Sequence, residues 1–185
     1  MNIEDFKNSI GGGVRPALFR VGGRIGGRGT DQAVSFLVTA AALPASNIGE
    51  VTAPYRGRTL KIPTSRTFED WQITVLSDSD MRLRNKFEGW LEDLNGSQDN
   101  VPEREISLTN ATDFPDWSID QLDRKGNAIK SYTMKYCFPK TVSEITVDAT
   151  SEDLASFTVS LGYSYFITSD VNVGYGSPGN RTPAN

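Results

Sequence analysis

Four pairs of carboxylates stand close enough along the chain to share a proton or a cation: Glu69/Asp70, Asp78/Asp80, Asp113/Asp116 and Asp120/Asp123. Acid–base catalysis needs such a group poised beside a nucleophile or a substrate proton, and a calcium loop needs a turn glycine and a distal Glu. None of the pairs has that glycine and Glu, and none lies beside a nucleophile with a base to activate it. The chain also contains no His, which removes the commonest general base and transition-metal ligand. The pairs therefore read as solvated groups or as caps of turns and helices. No catalytic residue, metal or cofactor is expected.

Two other segments invite chemistry. Val21-Gly22-Gly23-Arg24-Ile25-Gly26-Gly27-Arg28-Gly29 is glycine-rich like a phosphate loop, but it lacks the closing Lys-Ser/Thr and a following helix. It also resembles an Arg-Gly-Gly nucleic-acid segment, yet one short, imperfect copy between strands reads as a flexible turn. Cys137 is the single cysteine, so no disulfide forms within one chain, and inside Tyr136-Cys137-Phe138 it reads as a small apolar filler.

The 185 residues suit one domain. The N-terminal residues have neither a basic start nor an apolar run, so no signal peptide and no membrane insertion are expected. Net charge is −4, and its distribution is uneven. Residues 1–66 hold nine Lys/Arg against four Asp/Glu, a balance of +5, and 67–185 hold ten against nineteen, a balance of −9. If those signs separate onto opposite faces, copies attract head to tail, the arrangement that builds rings and filaments.

The elements that must carry these residues are mostly strands. Pro16–Val21 and Ala33–Thr39 read as strands of a hairpin, with Gly22-Gly23 and Gly26-Gly27 as turns, and Pro44 closes the second strand. Glu50–Ala53 and Arg58–Ile62 flank Pro54-Tyr55-Arg56-Gly57, the tip of a projecting hairpin. An aromatic and two arginines at such a tip mark Pro54, Tyr55, Arg56 and Arg58 as an interface. Phe68 and Trp71 begin a core strand that runs into a helix.

In that helix Leu83, Phe87, Trp90, Leu91 and Leu94 share one face, Ser77, Asp78 and Ser79 are available caps, and Asn95-Gly96 is the stop. Arg82, Lys86 and Glu92 fall on the outward face, which reads equally as solvated surface or as a partner surface. Residues 96–116 read as a loop. Trp117–Leu122 and Ala128–Met134 form a hairpin, and Val142–Val147 and Leu154–Phe166 are further strands. In the last, Phe157, Val159, Leu161, Tyr163 and Tyr165 alternate with Thr158, Ser160, Gly162 and Ser164, so its second side faces water or a close wall. The tail from Thr168, rich in Gly, Ser, Pro and Asn, is expected to be poorly ordered.

Five segments in order carry a resemblance: Arg15–Val21, Ala42-Leu43-Pro44, Arg66–Trp71, the helix with Lys86-Phe87 and Trp90, and Cys137–Val142. Together they resemble the tail tube proteins of contractile-tailed bacteriophages, a family related to type VI secretion and bacteriocin tubes. The resemblance implies a mainly β (α+β) fold, an antiparallel β-barrel or sandwich with one flanking α-helix. It divides the chain into an arm at 1–14, a tube domain at 15–167 and a tail at 168–185. It also implies a structural virion protein whose hexameric rings, inner strands closed into one β-lined channel, stack into a tube that conducts DNA into the host cell. The implied partners are other copies, the tail sheath protein, and baseplate and tail terminator proteins, with assembly in the bacterial host cytoplasm. In such a tube Pro54, Tyr55, Arg56 and Arg58 would touch the adjacent ring, and Arg82, Lys86 and Glu92 the sheath or a neighbour. An acidic balance suits DNA in transit, whereas a DNA-binding protein favours positive charge. The tube of a secretion or bacteriocin-like injection system is the alternative, and an enzyme comes third.

Overall fold

The computed structural model describes residues 2–5, 13–26, 37–102, 105–107, 111–148, 150 and 153–170. Its elements in chain order are β1 (Phe19–Gly23), β2 (Val38–Ala41), β3 (Ser46–Tyr55), β4 (Arg58–Phe68), β5 (Trp71–Leu76), α1 (Arg82–Leu94), β6 (Trp117–Leu122), β7 (Ala128–Lys135), β8 (Phe138–Val142), β9 (Ser156–Gly162) and β10 (Tyr165–Asp170). Two antiparallel four-stranded sheets, ordered β1-β6-β7-β10 and β2-β5-β9-β8, pack as a sandwich, and β3-β4 forms a separate two-stranded ribbon. The sheets do not close into a barrel within the chain.

Period-two alternation builds the core. Trp71, Ile73 and Val75 of β5 are buried and stand opposite Leu161, Val159 and Phe157 of β9 in register. The other sheet supplies Val21, Trp117, Ile119 and Met134 to the same cluster. Aromatic rings bridge the layers: Trp71 meets Trp117 edge-on at 6.1 Å, and Phe87 of α1 lies 6.2 Å from Trp117 and 6.3 Å from Phe157.

Glycine makes room for two of these rings. A Cβ on Gly23 would sit 2.2 Å from the Trp117 ring, and one on Gly26 would sit 2.2 Å from Trp90 Nε1. Gly22 and Gly23 thus belong to β1 rather than to the expected turn, because the close approach of an indole requires a missing side chain there. Residues 27–36 lie outside the described residues. The expected hairpin of the first two strands is also corrected, since β1 pairs with β6 and β2 pairs with β5, in different sheets.

Two further strands are redrawn. Residues 143–148 form no strand, and β8 lies just before them. The expected strand from Leu154 to Phe166 is two, because after Gly162 the chain crosses from one sheet to the other and resumes as β10 beside β7. Its small-residue side does meet a close wall at Gly162, whose added Cβ would stand 2.8 Å from the Phe138 ring. The strand β10 runs to Asp170, three residues into the stretch read as tail, and 171–185 lie outside the described residues.

Helix α1 begins without a side-chain cap. Met81 takes the N-cap position in the left-handed region, φ 50°, and Asp78 instead approaches Arg82 at 3.6 Å. At the other end the Asn95 N–H bonds the Leu91 carbonyl and the backbone turns extended, so no left-handed glycine stops the helix. Leu83, Phe87, Trp90 and Asp93 are buried, while Leu91 and Leu94 are half-buried. The buried stripe is therefore rotated slightly from the apolar pattern.

Trp90→Ala should cost about 3–5 kcal/mol through the cavity it leaves. Gly23→Ala should cost about 1–3 kcal/mol by displacing Trp117. Chemical denaturation with unchanged dependence on denaturant checks both; a Gly23→Ala protein as stable as the parent contradicts the packing described.

Candidate assembly surface

The carboxylates that could have been catalytic are occupied in holding the fold. Asp70 pairs with Lys140 at 2.8 Å, joining the start of β5 to β8. Asp116 pairs with Lys135, and that carboxylate holds the lysine above its usual range. Asp120 accepts from Arg20 at 2.8 Å and from the Ser131 hydroxyl at 2.6 Å, linking three strands. Asp123 accepts the N–H groups of Lys125 and Asn127 across the β6–β7 turn, and the Asn127 bond leads in holding its carboxyl below the usual range. Asp113 is buried and accepts from Ser107 N at 3.4 Å. Among the described residues no group of three or more His, Cys, Asp or Glu could hold a metal ion.

Cys137 is buried with its thiol facing the Met134 carbonyl at 3.5 Å, and burial pushes its pKa up to about 12. A thiol held protonated is no nucleophile.

The β3–β4 ribbon is different in kind, because almost all of it is exposed. At roughly 3.3 Å per residue, each arm extends about 30 Å or more. The turn consists of Arg56 and Gly57 alone, with φ of 46° and 78°, the two-residue turn with both central residues left-handed that matches strand twist. Pro54 is not in it: it pairs with Thr59 inside the ladder, and Tyr55 pairs with Arg58. The Arg56 guanidinium lies over the Tyr55 ring, 5.4 Å from its centre.

Register separates the ribbon into two faces. Val51 stands opposite Ile62, Ala53 opposite Leu60 and Tyr55 opposite Arg58, all on one side; Glu50, Thr52 and Pro54 take the other with Pro63, Lys61 and Thr59. On the polar side Lys61 bonds Glu50 at 2.8 Å. The register shifts between Ile48 and Glu50, where Thr64 and Ser65 of β4 together oppose Gly49; the alternation of β3 runs on unbroken and leaves Ile48, opposite Arg66, on the side of Glu50. A Cβ on Gly49 would lie 2.8 Å from Thr64 Oγ1. Val51, Leu60, Ile62 and Tyr55 thus line one side of a ribbon with no core beneath it, with Val51 56%, Leu60 61% and Tyr55 67% exposed. Sequence reasoning named the tip and missed this stripe, although the alternation of Leu60 and Ile62 with Thr59 and Lys61 carried it.

Among the described residues the ribbon is anchored at its base. Phe68 packs 5.5 Å from Phe166 and 5.8 Å from Tyr163, and Asn47 donates to Glu69 at 2.8 Å. The Trp71 indole donates to the Ala42 carbonyl, and the Tyr163 hydroxyl donates to the Ala45 carbonyl at 3.3 Å. Three of the segments singled out in the sequence, Ala42–Pro44, Arg66–Trp71 and Cys137–Val142, therefore meet where the ribbon leaves the sandwich.

On the helix, Arg82 is exposed and Lys86 half-buried. Glu92 instead serves the chain reversal after the helix, accepting Ser97 N at 2.9 Å and Ser97 Oγ at 3.0 Å. Arg84 reaches inward, donating to the Ser143 carbonyl at 2.9 Å and lying 5.7 Å from the Phe157 ring centre.

Residues 6–169 match the family model described as phage tail tube protein. The chain is 28% identical over 171 residues to tail tube protein gp19 of Enterobacteria phage T4, covering 90% of this chain and 99% of that one. It is also 28% identical over 131 residues to the tail tube protein of Serratia phage KSP90, covering 70% and 72%. Among solved structures, the tube-terminating cap of the anti-feeding prophage superposes with a TM-score of 0.61 at 16% identity, covering 85% of this chain and 91% of that one, which shows a shared fold.

The Cys137 thiol should stay inert toward an aromatic disulfide reagent at pH 8 and react only at the rate of unfolding. Because the folded value lies above the unfolded 9.0, the native state keeps its proton longer; this group leaves stability unchanged below pH 9 and erodes it as pH rises toward about 12. Fast labelling of the folded protein is the contrary result.

Proposed function

The chain belongs to the phage tail tube protein family, and from that premise we propose that it assembles as hexameric rings whose stacking builds the inner tube of a contractile tail, a conduit for DNA from virion to host. The single observation that carries this reading is the β3–β4 ribbon. A two-stranded hairpin without a packed face is marginal in water, so a ribbon with an unpartnered apolar stripe calls for another molecule to cover it. Full burial contributes about 1.5–3 kcal/mol for each of Val51, Leu60 and Ile62. Among the described residues the two sheets end in the edge strands β1, β10, β2 and β8, which supports the same reading, since closure between neighbours in a ring covers such edges.

In this reading Pro54, Tyr55, Arg56 and Arg58 sit at the contact between adjacent rings. The exposed side of α1, with Arg82 and Lys86, looks away from the channel toward the sheath protein or a neighbouring subunit. The tube ends against baseplate and terminator proteins, and the subunit is a building block of the virion tail, assembled in the host cytoplasm. DNA passes without specific binding, in keeping with the net charge of −4.

Purified protein should form rings or tubes visible by negative-stain electron microscopy; a protein that remains monomeric at high concentration in every salt condition contradicts the proposal. Replacing both Tyr55 and Arg56 with Ala should leave the melting temperature within a few degrees of the parent and suppress tube growth, whereas normal tubes would remove the tip from the contact. Reversing charge at Arg82 and Lys86 should change stability by roughly 1 kcal/mol or less and weaken sheath co-sedimentation.

A further inference from the structure

The segment between β8 and β9 borders a groove of about 450 Å3 beside the start of α1. Its lining includes Met81, Val147 and Leu154 with Glu144, Asp148 and Asp153, and no lysine or arginine. Val147 is 87% and Leu154 78% exposed, an unusual cost for two aliphatic side chains side by side on one cleft. The backbone around the groove is held rather than loose: Ser77 N donates to the Ala155 carbonyl at 2.8 Å, tying the groove wall to the residues that precede the helix. Asp148 accepts Thr150 N at 2.9 Å, which fixes its carboxylate at the rim.

The same chain carries the complement. The ribbon tip presents Tyr55, Arg56 and Arg58 with Leu60 behind them, an aromatic-aliphatic surface with two guanidinium groups and no acidic residue between 54 and 62. We propose that this groove receives the β3–β4 tip of a second copy, with Tyr55 and Leu60 against Val147 and Leu154, and Arg56 and Arg58 against Glu144 and Asp148. The inference rests on the reading of the chain as a stacking ring subunit, and it supplies the receiving half of that contact. Groove and tip lie on different elements of each copy, so in a stack one copy offers its tip to one neighbour while its groove receives the tip of another. Arginine suits the role, because its fork pairs with carboxylates while its plane stacks on an aromatic ring, as Arg56 already does on Tyr55.

Cross-linking across the contact tests this. Chains with Tyr55→Cys and chains with Val147→Cys are mixed, assembled and treated with a short bismaleimide; the native thiol, Cys137, is buried and does not compete. A dimeric product that requires both variants and appears only on assembly is the expected result. In a second arm, Arg58→Glu should abolish tubes, and adding Glu144→Arg in the same chain should restore them; because Glu144 and Arg58 are exposed, both proteins should keep the parent melting temperature. Parent tubes that show neither the cross-link nor the charge-swap rescue overturn the groove assignment alone. Absence of rings and tubes from the parent overturns the ring reading beneath it. A Val147→Cys thiol that stays reactive in tubes and is protected only by added sheath protein assigns the groove to the sheath and overturns the proposal.

Discussion

The packing of indole rings against absent side chains holds this molecule together. Trp117 can lie flat between the sheets because Gly23 has no Cβ, and Trp90 can enter from the helix because Gly26 has none. Phe87 fills the space between them, 6.5 Å from Trp90 and 6.2 Å from Trp117. Two of the three indoles finish in hydrogen bonds that place loops: Trp90 Nε1 donates to the Asp113 carbonyl at 3.1 Å, and Trp71 donates to the Ala42 carbonyl. A close-packed interior tolerates no other solution at these positions, since a single added methyl has nowhere to go.

From that core follows the outward reach of the ribbon. Phe68 is the last residue of β4, half-buried among Tyr163 and Phe166, and the ribbon that precedes it stands clear of the sandwich. The ribbon keeps its own integrity through register, a left-handed turn and the Lys61–Glu50 pair, but these add little to a hairpin in water. Val51, Tyr55, Leu60 and Ile62 share one side of it, opposite the Lys61–Glu50 pair. Such a two-sided pattern has no purpose in a freely solvated loop and a clear one in a surface that must be covered.

The carboxylate pairs serve the fold by tying turns and neighbouring strands together. Five of the carboxylates first read as chemistry, Asp70, Asp113, Asp116, Asp120 and Asp123, each accept from a named partner. A carboxylate so engaged ties its turn or strand pair together.

The sequence by itself determined the class of the fold, the helix and its aromatic face, the β6–β7 hairpin and the existence of a projecting tip, because period, turn chemistry and a side chain's polarity are local properties. It also pointed through five ordered segments to the family. Pairing partners were decided only in three dimensions: β1 and β2, about 50 Å of chain apart at most by contour, join different sheets because Val21 completes the cluster around Trp117 while Val38 and Ala41 flank β5. The division of the last strand at Gly162, the glycines as seats for indoles and the apolar stripe of the ribbon were likewise invisible to periodicity. Each depends on which ring or strand stands opposite, and burial at a distance in sequence is set by the packing of the whole core rather than by the residues on either side.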